Sequence, residues 1–271
     1  MLPSKEIGLI AGQGSIPECL AARWESQGLT PVIVGLKGIT DPSLYKNRIA
    51  AEFSIGQAGH ILNFFKSRGV TKLVMVGALK RPNFWTLRTD FVGMKIVAKL
   101  LFRRMGDDSL LRFIRREIEK FGISVVGVHD YMPELLCPAG VLTETHPTDD
   151  DLKLIQVGFV AAKQHGADDK GQSIVVNASG VCAVEGHHGT NTLISSCAGQ
   201  PNAILVKVSK PQQDLALDMP TIGISTIRHA IDAGFKGIAI EAHKTIILDK
   251  EEVIALCIDN GLFLMGLERE S

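Results

Sequence analysis

Four charged side chains within twelve residues, Lys207, Lys210, Asp214 and Asp218, carry the clearest chemistry in this sequence. They lie in the stretch ILVKVSKPQQDLALDMPTIG, from Ile204 to Gly223. An apolar, strand-like run from Ile204 to Val208 holds Lys207 and delivers the chain to Lys210 and Pro211. Asp214 and Asp218 follow, and then Pro220 and Gly223. Ammonium groups neutralise phosphoryl oxygens, while carboxylates hold a hard cation or take a proton. The mixture suits a phosphate ester with a divalent metal. A surface loop with charges of both signs is the plain alternative, and this segment alone does not separate the two.

Other places offer related chemistry. The first strand ends in AGQGSIP, where Gly12 and Gly14 permit a tight turn before a helix N-terminus. Such a turn presents N–H groups and a positive dipole end to an anion, and Ser15 can cap the helix or bind a phosphate oxygen. Pro17 fills the third glycine position of the dinucleotide fingerprint, so the motif is weak for NAD. Lys80 and Arg81 follow the third apolar run and can hold a diphosphate, Arg as a fork and Lys as a point charge. A solvated loop is the competing reading. Asp107 and Asp108 after Gly106 are either oxygen ligands for Mg²⁺ or the cap and first-turn acid of the next helix. Glu185 opens EGHHGTN, with His187 and His188 beside it. The group invites a metal reading, although adjacent histidines on an extended chain point to opposite faces. Gly189 and Thr190 can offer N–H groups to a phosphate.

The composition limits the partners. With 29 basic and 29 acidic residues the net charge is zero, so no global field gathers nucleic acid. Five scattered cysteines form no C-x-x-C pair, which fits small residues in a reducing cytoplasm better than a disulfide framework or a zinc site. The N-terminus lacks a signal peptide's apolar core, and no run approaches the roughly twenty apolar residues that span a bilayer. A cytoplasmic protein is expected. From Phe84 to Arg104, apolar residues alternate with Lys95, Lys99, Arg103 and Arg104. Such a helix packs at an interface between domains or subunits, or lies peripherally on the inner membrane surface. The first of these is favoured; a homo-oligomer remains a candidate.

The elements that must position these groups follow an α/β rhythm. Strands are expected at residues 7–11, 31–35, 72–76 and 123–128, with helices at 16–27, 57–68 and 87–121. That βαβα order predicts a Rossmann-like domain with a parallel sheet over residues 1–133. Two prolines and a glycine in YMPELLCPAG mark a linker. A second α/β domain, over residues 138–271, opens on a capping box at Thr148 and Asp151. Strands at 173–177, 181–185, 203–208, 237–241 and 245–248 and helices from 148 to 165, 225–233 and 250–260 predict a mixed sheet there, because some strands follow each other without a helix.

Taken in order, several segments resemble the LpxI family, the UDP-2,3-diacylglucosamine pyrophosphatases of lipid A synthesis. They are IGLIAGQGSIP (7–17), VGALKRPNF (76–84), GDDSLL (106–111), PAGVLTETHPTDDD (138–151), GADDKGQSIVV (166–176) and LVKVSKPQQDLALDMPTIG (205–223). The resemblance implies Mg²⁺-dependent hydrolysis of UDP-diacylglucosamine to UMP and lipid X, with Mn²⁺ as a second candidate metal. It places the family's catalytic aspartate of D-x-P-x-I-G on Asp218 and its second acid on Asp214, and its G-D-D pair on Asp107 and Asp108. Asp218, Asp107, Asp108 and Glu185 become the expected metal ligands. Gly12, Gly14, Ser15, Lys80, Arg81, Thr190, Lys207 and Lys210 become the expected contacts to an acylated UDP-sugar held in a cleft between the domains. The sequence departs from the family where E-A-I-E-G-T-D is common: His188 replaces the second Glu and Asn191 the final Asp. Nitrogen ligands would shift preference from Mg²⁺ towards Mn²⁺ or Zn²⁺. Another nucleotide-sugar hydrolase or transferase, or a non-catalytic sensor, is the alternative function.

Overall fold

The computed structural model describes residues 6–79, 89–102, 107–200 and 202–268. The chain divides into two compact units, residues 1–133 and 134–271. Both are α/β.

In the first unit, strands β1 (Glu6–Ala11), β2 (Thr30–Leu36), β3 (Ile49–Phe53), β4 (Lys72–Val76) and β5 (Ser124–Val125) form one sheet in the order β3-β2-β1-β4-β5. Every neighbouring pair is parallel. Helices α1 (Ile16–Ser26), α2 (Ala58–Ser67), α3 (Phe91–Phe102) and α4 (Asp107–Glu119) make the crossovers. Beyond their polar first residues, Glu6, Thr30 and Lys72, the inner strands are apolar, as two covered faces require. Leu9, Ile33, Leu73, Leu20, Trp24 and Phe65 are buried almost completely. The strand order reverses direction between β1 and β4, the place where open α/β sheets bind ligands.

Three expectations for this unit need correction. Strand β3 was not foreseen: its Ala-Ala-Glu-Phe stretch lies half-buried at the sheet edge and lacks an apolar run. The single helix expected over 87–121 is two, α3 and α4. The strand expected over 123–128 stops at Val125, and a 3-10 turn over 128–130 follows, where the Asp130 carboxylate accepts the Gly127 N–H at 2.9 Å. Lys80, Arg81, Phe84 and Trp85 lie outside the described residues.

The second unit holds β6 (Gly140–Val141), α5 (Asp149–Ala167), β7 (Ser173–Asn177), β8 (Gly180–Val184), α6 (Gly189–Ser196), β9 (Ile204–Lys207), β10 (Thr221–Ile222), α7 (Ile224–Asp232), β11 (Gly237–Glu241), β12 (Ile246–Ile247), α8 (Lys250–Asp259) and β13 (Phe263–Leu267). Its main sheet runs β6-β13-β11-β9-β7-β8, and β10 pairs with β12 separately. Strands β13, β11 and β9 are parallel; β6, β7 and β8 join antiparallel. The expected mixed sheet is present. On one face Ile155 and Phe159 of α5 pack with Val206 and Val208. On the other, Leu193, Ile227 and Val253 from α6, α7 and α8 pack with Leu205.

Helix α5 starts as its sequence dictates. Thr148 accepts the Asp151 N–H, and Asp151 accepts the Thr148 N–H. Asp151 also receives Lys236 at 2.6 Å. Burial alone would raise its carboxyl pKa, but the bonds from Lys236 and Thr148 hold it below the ordinary range. Helix α6 and strands β6, β10 and β13 were not anticipated. GTNTLISS is short and polar, and the two-residue strands carry too few residues for a period.

The glycine turn after β1 is shaped by proximity. A Cβ on Gly12 would sit 2.6 Å from the backbone carbonyl of Gly77. The Gly12 N–H donates to the Val76 carbonyl at 2.8 Å, and the Gln13 and Ala78 backbones bond reciprocally. Neither partner is a side chain that can swing away. Gly12→Ala should therefore lower the unfolding free energy of the protein by about 1–3 kcal/mol, read by urea denaturation.

Candidate active site

In β9 alternate side chains face opposite sides of the sheet, so Lys207 takes the same side as Leu205, the side covered by α6 and α7. Lys207 is the last residue of β9, and only 6% of it is exposed. Its ammonium donates to Thr190 Oγ1 at 2.8 Å. Thr190 lies in the first turn of α6 and contacts Glu185 Oε1 at 2.7 Å and Ser173 Oγ at 3.1 Å. Proton counting fixes the directions. Lys207 donates only and a carboxylate accepts only, so the single Thr190 hydroxyl proton goes to Glu185 and Ser173 donates to Thr190. Glu185 Oε2 accepts the Gln172 N–H at 2.8 Å.

This is a buried cation with an internal counter-ion. Burial pushes the Lys207 pKa down, while the charges of Glu185 and Asp218 act in the opposite direction. The ammonium and both neighbouring carboxylates thus share one electrostatic environment at the carboxyl ends of the parallel strands.

Asp218 and Asp214 sit in the irregular segment between β9 and β10, both half-buried. Asp214 Oδ1 accepts the Ala216 N–H at 3.2 Å, and its carbonyl accepts the N–H groups of Leu217 and Asp218. Asp214 therefore shapes the turn that presents Asp218. Gln213 Nε2 donates to Asp218 Oδ2 at 2.8 Å, and Gln213 Oε1 accepts the Lys210 N–H at 2.9 Å. The Lys210 ammonium pairs with Asp169.

The structure revises several roles expected from the sequence. Lys207 and Thr190 are buried members of one network. Glu185 has both oxygens engaged, by Thr190 and by the Gln172 N–H. Gly12 spends its N–H on Val76, whereas Gly14 and Ser15 are exposed and Ser15 makes no capping bond. Asp107 and Asp108 begin α4, and their side chains lie outside what is described, as do Lys80 and Arg81. Ser173, Gln172 and Gln213 were missed as site residues. Gln213 immediately precedes Asp214 and was findable there; nothing in the sequence marks Ser173 or Gln172.

The two positions that depart from the family pattern are peripheral to the buried charges. His187 and His188 are exposed, and Asn191 Nδ2 donates to Ser225 Oγ at 3.0 Å, tying the first turns of α6 and α7. The retained Thr190 bonds Lys207, and the retained Glu185 bonds Thr190.

Among the described residues no group of three or more His, Cys, Asp or Glu side chains is arranged to hold a metal ion. Mg²⁺ commonly takes one or two carboxylates and completes its shell with water and substrate phosphates. Asp218, with Oδ2 held by Gln213, fits such a shared ion.

Removing the buried cation takes away the donor to Thr190 Oγ1 and the positive charge that faces Glu185 through it. Lys207→Met should lower stability by about 3–5 kcal/mol, measured by urea denaturation.

Comparison with known proteins agrees with this layout across both units. Residues 6–135 match the family model for the LpxI N-terminal domain, and residues 138–265 match that for the LpxI C-terminal domain. The UDP-2,3-diacylglucosamine pyrophosphatase LpxI of Caulobacter vibrioides is 35% identical over 275 aligned positions, covering 97% of this chain and 98% of the relative. With both domain models matched in order and the relative aligned almost end to end, the chain belongs to the LpxI family.

Proposed function

We propose that this protein hydrolyses the diphosphate of UDP-2,3-diacylglucosamine, releasing UMP and 2,3-diacylglucosamine 1-phosphate (lipid X). Its family and the name of its 35%-identical relative support the reaction. What supports the assignment to residues is the hydrogen bond from Gln213 that holds Asp218 Oδ2, in the segment that leaves the sheet after Lys207.

The protein's own groups suit this chemistry. Asp218 Oδ2 is fixed by Gln213, which leaves Oδ1 to orient a water or to meet a cation. Asp214 holds the turn from 214 to 218 in shape. Lys207 supplies positive potential from below the surface, where low dielectric strengthens it as negative charge develops on the diphosphate. A Mg²⁺ ion shared between Asp218 and substrate oxygens would offset the charge of the breaking phosphoanhydride, and Mn²⁺ would serve the same purpose. In the first unit, the exposed Gly14 and Ser15 lie at the carboxyl end of β1 and suit a nucleotide phosphate.

The acyl chains need an apolar surface. On α3, Phe91 and Met94 are 68% and 52% exposed, and the Lys95 ammonium lies 4.5 Å from the Phe91 ring centre. That face suits an acyl chain or the surface of the inner membrane on its cytoplasmic side. Among the described residues no helix is long and apolar enough to cross a membrane.

Two outcomes test the reading. Asp218→Ala should retain substrate binding while kcat falls about a hundredfold or more; near-normal turnover removes Asp218 from the reaction. With UDP-diacylglucosamine, a chelator such as EDTA should abolish release of UMP and added Mg²⁺ should restore it, followed by mass spectrometry. Full activity in chelator contradicts the metal requirement.

A further inference from the structure

Asp218 belongs to a stretch with no regular structure of its own. Between Lys207, the last residue of β9, and Thr221, the first of β10, no helix or strand fixes the chain. Ordering one residue's backbone costs roughly 1–2 kcal/mol, so side chains must hold this stretch if Asp218 is to keep one position. A buried group at the end of the strand next to β9 does so.

Glu241 closes β11, which runs parallel to β9 with Ile240 opposite Lys207. It is 6% exposed. Its Oε2 accepts the Ser209 N–H at 2.8 Å, the Ser209 hydroxyl at 2.7 Å and the Lys163 ammonium at 2.7 Å; its Oε1 accepts Lys244 at 3.1 Å. Lys163 donates in addition to the Ser209 carbonyl at 2.8 Å. The N–H, hydroxyl and carbonyl of Ser209 are therefore all held by one ion pair rooted in the sheet and in α5.

From Ser209 the restraint passes to Asp218 in two steps. The next residue, Lys210, donates its N–H to Gln213 Oε1, and Gln213 Nε2 donates to Asp218 Oδ2. The orientation of the Gln213 amide is determined chemically, since a backbone N–H only donates and an ionised carboxylate only accepts. Swapping the two ends of the amide would break both bonds.

We infer that Gln213 is the positioning residue for Asp218, and that the Glu241–Lys163 pair anchors it through Ser209. The inference deepens the hydrolase reading and rests on it for its kinetic consequence. Gln213 touches no reacting atom; it sets where the Asp218 carboxylate points. Glu241 and Lys163 act at one further remove.

The test uses the full chain and three variants, Gln213→Leu, Gln213→Glu and Glu241→Gln. Each should lower kcat about tenfold or more with KM changed by less than about threefold, because the loss is in orientation rather than in substrate binding. Gln213→Glu keeps the side-chain length but replaces a donor with a carboxylate, so it should lose at least as much as Gln213→Leu. A purely structural glutamine would instead lower the melting temperature and leave the kcat of the folded protein unchanged. Hydrogen–deuterium exchange gives an independent readout: Glu241→Gln should raise uptake over residues 208–218 and leave β7 unchanged. The inference is overturned if Gln213→Leu keeps kcat within about twofold of the parent. It is also overturned if uptake over 208–218 is unaltered in Glu241→Gln. If Glu241→Gln does not fold, the two Gln213 variants decide. If the parent itself shows no hydrolysis, the function reading fails separately, and the exchange experiment on Glu241→Gln still decides the anchoring.

Discussion

Burying an ammonium is costly, and the second unit is arranged around meeting that cost at Lys207. An isolated charge in an apolar interior is disfavoured by many kcal/mol unless it is paired and hydrogen-bonded. The partners come from separate elements. Glu185 follows β8, Thr190 lies in the first turn of α6, Ser173 opens β7, and Gln172 precedes it. Holding one cation therefore fixes the relative placement of two strands and a helix at the carboxyl edge of β9. Asp218 lies eleven residues further along the same exit from the sheet, and its charge favours the ammonium form of Lys207.

A second charge pair, Lys163 with Glu241, does the mechanical work nearby. Its partner Ser209 is two residues beyond Lys207, so the two clusters hold consecutive parts of one exit from the sheet. Glu241 titrates below the ordinary carboxylate range: burial opposes this, but the bonds from Lys163 and Ser209 prevail. The contribution of that carboxylate to stability is complete above the ordinary range and disappears as pH falls through the depressed folded value. An irregular segment can carry a functional carboxylate here because ion pairs on either side replace the ladder of a strand.

Much of this was legible before the structure. Long apolar strands and amphipathic helices declared themselves by period, and the Thr148–Asp151 capping box was readable residue by residue. The acids of 214–218 stood out because carboxylates, lysines and proline seldom crowd behind a strand. What was lost was non-local. Strand β3 is recognisable only from its pairing with β2, since Ala50, Ala51 and Glu52 carry no apolar run. The roles of Thr190 and Glu185 depended on which charge they face, and that charge is 17 residues away from Thr190 in sequence. Lys207 looked like a phosphate clamp because a lysine near the end of a strand usually reaches solvent; its alternation with Leu205 points inward instead. The His188 and Asn191 departures looked threatening in a linear motif, yet both side chains lie apart from the buried cluster.

The central claim is that Lys207 and Glu185, joined through the Thr190 hydroxyl, depend on each other inside the second unit. A double-mutant cycle in urea, with Lys207→Met, Glu185→Gln and their combination, tests it directly. The account predicts that the double variant is less destabilised than the sum of the single ones, with a coupling of at least about 1 kcal/mol. Strict additivity of the two losses would contradict it.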